Sequence, residues 1–261
     1  MKYSYLILVF GFLFLYSCKN GNSSNDNIAE PEFSNEDELA KLPLDERSKK
    51  HAMLKLGIPA NEKFSVQIHQ AYLNSDNQSD AIITINRLEY AESYSAQSKN
   101  FETLKRNGYV GNFNYFMIYD GASNKLSIPV PVPSSAMKKL EVDFIYLFSE
   151  SYATPVITYR IKNSEFKNFY NIADGVMDKV FKMISYNNAG EENEEAFVFE
   201  IGKEGTFSDV KDIIVYKGKL ENSAEIAKDW FGAKTKISAT KTVDKKWFFD
   251  PKRYAYVTPE Y

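Results

Sequence analysis

Asn74, Asp76 and Asp80 lie in the polar stretch Tyr72-Leu73-Asn74-Ser75-Asp76-Asn77-Gln78-Ser79-Asp80, directly before the apolar run Ala81-Ile82-Ile83. Alternating oxygen-bearing side chains in a tight loop can converge on a hard cation, and calcium takes about 6–8 oxygens at roughly 2.3–2.6 Å. These three residues are the candidate calcium ligands, with the Gln78 carbonyl as a further donor. Asn77 holds the turn position, where asparagine tolerates a left-handed backbone. The competing reading is a solvated strand–turn–strand loop without metal.

Other chemistry is thin. The chain has one cysteine, Cys18, and two histidines, His51 and His69, with no H-E-x-x-H, H-x-H or G-x-S-x-G pattern. A two-histidine zinc site would need both rings to converge with a carboxylate, and their spacing does not suggest it. Glu191, Glu192, Glu194 and Glu195 form an acidic run that reads as a solvated loop. Paired carboxylates can cleave glycosides at separations of about 5–9.5 Å, but sequence selects no pair. The C-terminal lysines from Lys234 to Lys252, interleaved with Trp247, Phe248 and Phe249, read as the charged face of a strand.

Three resemblances to known families rest on short motifs. The loop at 72–83 resembles the aspartate loop of FG-GAP/VCBS-type repeats, D-x-[DN]-x-D-x-x-x-D before a strand; Asn74, Asp76 and Asp80 match it, and Tyr72 replaces its first acid. Ser135-Ala136-Met137-Lys138, Ser185-Tyr186-Asn187 and Lys234-Thr235 follow the motif order of penicillin-binding enzymes. That likeness is set aside: S-x-x-K recurs at Ser164/Lys167 and Ser208/Lys211, Lys236 stands where K-T-G needs glycine, and Ser135 follows Pro133 in a β pattern. The third is the N-terminus. Lys2, the apolar run Leu6 to Leu15, and Leu15-Tyr16-Ser17-Cys18 resemble the signal and lipobox of bacterial lipoproteins. The run is shorter than the roughly 20 residues that span a bilayer. The resemblance implies a signal peptide over 1–17 and a diacylglycerol-modified Cys18, with two or more acyl chains giving a stable anchor. It implies a cell-envelope address. Lys19 follows the cysteine where aspartate would favour inner-membrane retention in some Gram-negative systems, so the expected address is the outer membrane of a Gram-negative bacterium; the residue usage suggests an A+T-rich genome.

The elements that position these residues follow from composition and period. Residues 18–33 read as a polar tether, and 34–261 as one β-rich domain with a candidate subdomain boundary near 126–136. A helix is expected over Pro43–Leu56: acids near its start, lysines near its end, Gly57 and Pro59 beyond it. Leu44, Ala52, Met53 and Leu56 would face the core. A strand is expected at Phe64–Tyr72, a buried strand at Ala81–Ile85, and one long helix from Tyr90 to Leu104. Further strands are expected at 113–119, 125–132, 140–148, 156–162, 196–201, 212–217, 247–250 and 254–257. Asn222 with Glu225 resembles a capping box for a short helix through Phe231. Phe166 to Ile184 fits a helical period, but Asp174-Gly175 interrupts it and favours a strand at 176–186. Ile128-Pro129-Val130-Pro131-Val132-Pro133 cannot be a central strand, because proline donates no ladder hydrogen bond; an edge strand fits.

These readings converge on a mainly β, antiparallel, sandwich-like fold with a small N-terminal helix and one long helix; the alternative is α+β. The formal net charge of −3 gives no reason to expect a nucleic-acid partner. Aromatic residues make up 15% of the chain and fit a β core, with an exposed platform for sugar or peptide as the second use. The expected function is a non-enzymatic lipid-anchored binding or structural protein of the bacterial envelope, joined to the membrane through Cys18 and open to a protein or glycan partner. The alternatives are a carboxylate-dependent hydrolase, and a subunit of an envelope secretion or assembly machine. No cofactor is expected besides calcium.

Overall fold

The computed structural model describes residues 36–173 and 175–258. The signal, Cys18 and the tether lie outside the described residues. Asn35–Tyr261 forms one compact unit.

The first sheet is antiparallel and holds β1 (Ser65–Ala71), β2 (Asp80–Asn86), β3 (Val110–Asp120), β4 (Lys125–Leu126) and β5 (Val130–Ser135). β2 is buried along its whole length. Its Ile82 faces one core with Leu73, Phe116 and Ile118; Ala81, Ile83 and Ile85 face another. A run of apolar residues without alternation is what a strand covered on both faces requires. Among the described residues β5 pairs only with β3, so Pro131 and Pro133 lie on a sheet edge, as their missing N–H groups demand.

α1 (Glu36–Leu39) precedes α2 (Leu44–Leu56), which starts after Pro43 and ends at Gly57. Gly57 adopts φ 59°, and its N–H donates to the Met53 carbonyl. Leu44, Ala52 and Leu56 pack on the first sheet as their spacing predicts. Met53 is only half-buried, and the buried stripe also carries Arg47, Ser48 and His51. The reason lies in the partner surface. Arg47 donates from Nη1 to Asn124 Oδ1 and from Nη2 to the Asn124 carbonyl, both at 2.7 Å, and His51 Nε2 lies 3.1 Å from the Ser127 carbonyl. The helix thus docks through polar groups on the β3–β4 turn as well as through apolar ones.

The helix expected from Tyr90 to Leu104 forms as two, α3 (Leu88–Ala96) and α4 (Phe101–Arg106). Between them the Asn100 N–H donates to Ser98 Oγ. A serine that offers the backbone a local side-chain bond competes with helix continuation.

The second sheet is an antiparallel meander in which every strand pairs with the next: β6 (Glu141–Ile145), β7 (Thr154–Ile161), β8 (Ser164–Ala173), β9 (Val176–Asn187), β10 (Glu195–Ile201), β11 (Ile213–Leu220), β12 (Ile237–Asp250) and β13 (Ala255–Val257). α5 (Ser223–Lys228) sits between β11 and β12 and ends short of Phe231. β9 forms where the interrupted pattern favours a strand. The apparent helical period from Phe166 instead belongs to β8, and β12 begins about ten residues before the expected strand at 247, across a charged stretch with little apolar alternation.

The two sheets pack face to face. Ile82, Phe116, Ile118 and Val132 of the first meet Ile157, Tyr159, Tyr170 and Ile172 of the second. The chain crosses between sheets after β5, and Asn114 ties that crossing down. Its Nδ2 donates to Ser134 Oγ and to the carbonyls of Ser135 and Lys138, while its Oδ1 accepts from Asn86 Nδ2. The opposite face of the second sheet carries another cluster, which includes Phe169, Phe181, Ile213, Phe249 and Tyr256. Flat neighbouring strands lie about 4.8 Å apart, which would put β9 about 19 Å from β13. The Phe181 and Tyr256 rings are 5.6 Å apart. The meander therefore curls and buries that face against itself.

One ion pair is enclosed by this arrangement. Arg160 Nε donates to Glu165 Oε2 at 2.9 Å; Nη1 donates to the Trp230 carbonyl and Nη2 to Thr235 Oγ1. Arg160→Met leaves the Glu165 carboxylate buried without its cation. It is expected to cost about 3–5 kcal/mol of unfolding free energy, read by urea denaturation. The double replacement Arg160→Met/Glu165→Met should recover much of that loss.

Candidate functional site

Asp80 opens β2 and is almost fully buried. Its Oδ2 accepts from the Leu73 N–H at 3.0 Å and its Oδ1 from the Gly121 N–H at 2.9 Å. One carboxylate thereby joins the β1–β2 loop to the β3–β4 hairpin. Gly121 is required by the close approach: a Cβ there would stand 2.4 Å from the Ser79 carbonyl oxygen. Asn74 Oδ1 accepts from the Asp76 N–H and Asp76 Oδ1 from the Gln78 N–H, two successive Asx turns that coil the loop. Asn77 takes the left-handed conformation at φ 59° that its position anticipates.

The coiled loop and the hairpin bring carboxylate oxygens of Asp76, Asp80 and Asp120 within 4.8 Å of one another. Asp120 is the residue that motif reading misses. It lies 40 positions downstream of Asp80 in the sequence, and the signal that could have found it is the Asp120-Gly121 pair, a hairpin-turn signature. Asn74 supports the loop through its bond to the Asp76 N–H, and it also lines the adjoining cleft with Asp80 and Asp120. Three hard oxygens on two loops fit a divalent cation with oxygen preference. A carboxylate oxygen that accepts one backbone N–H keeps a further lone pair for a metal.

Burial raises the proton affinity of Asp80, Asp76 and Asp120 add to it, and the two backbone N–H groups oppose it. Its folded pKa stands above the ordinary 3.8. The folded chain therefore holds this proton to higher pH than the unfolded chain. The contribution to stability is present below 3.8 and is lost as pH rises through the raised folded value.

The acidic cluster is one end of a longer groove along the seam between the sheets. Next to it a cleft of about 280 Å³ includes Ile118, Ser127 and Gly175 in its walls. The same three residues line the adjoining cleft of about 610 Å³, bounded by Pro131 and Pro133 of β5 and by Tyr170 and Met177 of β8 and β9. Asn168 lies at its wall. The Asn168 Nδ2 points to the Tyr170 hydroxyl at 3.3 Å, and its Oδ1 is buried without a hydrogen-bond partner. Burial pushes the Tyr170 hydroxyl up to about 12, partly offset by Asn168, so it stays protonated at neutral pH. Lys179 and Lys182 also line the cleft, with Lys182 Nζ 4.9 Å from the Phe166 ring centroid. Ile128 and Val130 are exposed beside it.

The remaining candidates disperse. Ser135 is buried and donates to the Asn107 carbonyl, while Ser185 has no partner; no base activates either hydroxyl. His51 packs under α2. His69 stands on β1 with a buried, unpartnered Nε2, and burial lowers its pKa against the opposing pull of Asp143. Glu194 binds Ser223 and the Gly190 N–H, and Glu191 binds Asn163, so half of the acidic run is structural. Most aromatic rings sit in the cores, but Tyr90 and Tyr94 of α3 are exposed and adjoin Phe113. The chain matches no known family model, no curated protein and no solved structure.

Two outcomes are expected at the acidic cluster. Calcium at a hundredfold excess over its dissociation constant should stabilise the folded state by about 2.7 kcal/mol, roughly 5–10 °C in melting temperature for a chain of this size. Asp76→Asn/Asp120→Asn should remove the shift; absence of any shift at millimolar calcium in the unaltered chain rules the site out. Without calcium, melting temperature measured from pH 3 upward should carry the Asp80 loss described above, and Asp80→Asn should flatten that part of the profile.

Proposed function

We propose that this chain is a lipid-anchored binding protein of a bacterial envelope, held at the membrane through acylated Cys18 and using the groove between its sheets as the ligand seat. The observation that carries the binding reading is the groove itself. Its largest cleft, about 610 Å³, has mostly apolar walls and an unpaired amide oxygen on Asn168. Clefts of roughly 300–1,000 Å³ with few placed polar groups are the usual form of small-ligand sites. The matching ligand has an extended apolar surface and one hydrogen-bond donor. The lipobox resemblance at Leu15–Cys18 supports the anchor, and no described helix is long and apolar enough to cross a membrane.

Asp76, Asp80 and Asp120 each offer a carboxylate oxygen within 4.8 Å of the others, an arrangement that suits a shared cation with oxygen preference. The machine-subunit alternative calls for a broad apolar patch, whereas exposed large side chains such as Tyr94, Ile128, Val176 and Phe207 stand on separate elements.

Both halves of the proposal are open to test in one expression host. In a Gram-negative cell fed an alkyne fatty acid, the full chain should take up label and fractionate with membranes, and Cys18→Ser should lose both. Retention of residues 1–17 with an unmodified thiol would refute the anchor. For the groove, the neutral probe N-phenyl-1-naphthylamine should bind saturably at one site, with affinity reduced at least tenfold by Ile128→Arg/Val130→Arg. Binding that does not saturate, or that ignores these replacements, would refute the seat.

A further inference from the structure

We propose a second ligand site, remote in chemistry from the groove, in a trough on the face of the second sheet turned away from the first: it takes a small amphipathic anion, with a carboxylate or phosphate head on Lys167 and Lys234 and an apolar body against Phe197 and Phe199. The trough encloses about 550 Å³, and Glu165 and Ser185 complete its polar lining.

Charge bookkeeping sets the sign of the ligand. Two carboxylates line the trough, and each already has a cation. Glu165 is held by Arg160, and Glu141 by Lys138 at 2.6 Å. Lys167 donates to the neutral Thr158 hydroxyl at 2.8 Å, and among the described residues no carboxylate pairs with Lys167 or Lys234. The lining is left with two uncompensated positive charges beside a phenylalanine wall. Lysine ammonium groups serve as point-charge partners for anions.

The site is built rather than incidental. Thr235 Oγ1 donates to Glu165 Oε2 and accepts from Arg160 Nη2, and Arg160 also holds the Trp230 carbonyl. The buried ion pair therefore fixes the segment that carries Lys234 at the trough. On the opposite wall, Phe166 pairs with Ile184 and Glu165 with Tyr186, which leaves Ser185 as the extra residue of a β-bulge. Bulges re-aim side chains and are frequent beside functional sites. Ser185 is 3% exposed, and its Oγ has no hydrogen-bond partner within the protein. Buried hydroxyls are ordinarily paired, so this one is free to meet a polar atom of the ligand.

The test uses the full chain with two anionic probes, 1-naphthoate and 1-naphthyl phosphate, and a cationic control, 1-naphthylmethylammonium, followed by calorimetry. At least one anion should bind saturably at a single site and the cation should not; the tighter anion assigns the head group as carboxylate or phosphate. Lys167→Met/Lys234→Met should weaken binding at least tenfold with an unchanged melting temperature. Should the double variant fold poorly, Lys234→Met alone, at the trough's edge, should still weaken binding severalfold. Ser185→Val should also weaken it, and Lys179→Gln/Lys182→Gln, in the groove, should leave it unchanged. Absence of saturable anion binding, equal binding in the folded lysine variants, or loss in the groove variant instead would overturn the proposal.

Discussion

Face-to-face contact between the two sheets is the constraint on which the other features depend. Ile82, Phe116 and Ile118 press against Ile157, Tyr170 and Ile172, and the release of apolar surface from water holds them there. The first sheet must then be apolar on both sides, because α2 covers its other face. The second must curl to cover its own. Beside that contact, along the edge strand β5, a groove lies between Pro131 and Pro133 on one side and Tyr170 and Met177 on the other. β5 cannot recruit another strand there, since Pro131 and Pro133 supply no donors at that edge.

Apolar contact alone does not choose a register, and buried polar groups supply the choice. Asp80 joins two loops through backbone N–H groups. Asn114 collects three acceptors at the crossing between sheets, and Arg160 ties β7 and β8 to the segment before β12. Each would be costly to bury unmatched, so each admits few alternative arrangements. Asn168 Oδ1 and Ser185 Oγ, like His69 Nε2, Thr154 Oγ1 and the Tyr186 hydroxyl, lack such a partner. Asn168 lines a cleft of about 610 Å³ and Ser185 one of about 550 Å³.

The acidic cluster and the lysine trough illustrate opposite electrostatic solutions. At Asp76, Asp80 and Asp120, like charges are crowded, and burial raises the Asp80 pKa. The arrangement favours a cation or a proton. In the trough, carboxylates are neutralised within the protein and lysines are left over. The arrangement favours an anion. The near-neutral net charge of the whole chain hides both, since it averages over sites of opposite sign.

Local signals in the sequence carried far on this chain. Gly57 ends α2, Asn77 turns the acidic loop, the alternate prolines lie on an edge, and the apolar run Ala81-Ile82-Ile83 is a strand covered on both sides. Each depends on backbone stereochemistry or burial within a few residues, which neighbouring side chains report directly. What involved distant partners was not legible: Asp120 beside Asp76, Arg47 and His51 beneath α2, the split between α3 and α4, and Lys234 brought to a trough lined by Lys167 and Ser185. Residue types and spacing determined the β class and the loop chemistry, because those follow from local rules. Only the tertiary structure decided which charges meet and which remain unmatched, because that depends on how the curled sheet and the crossing between sheets bring remote strands together.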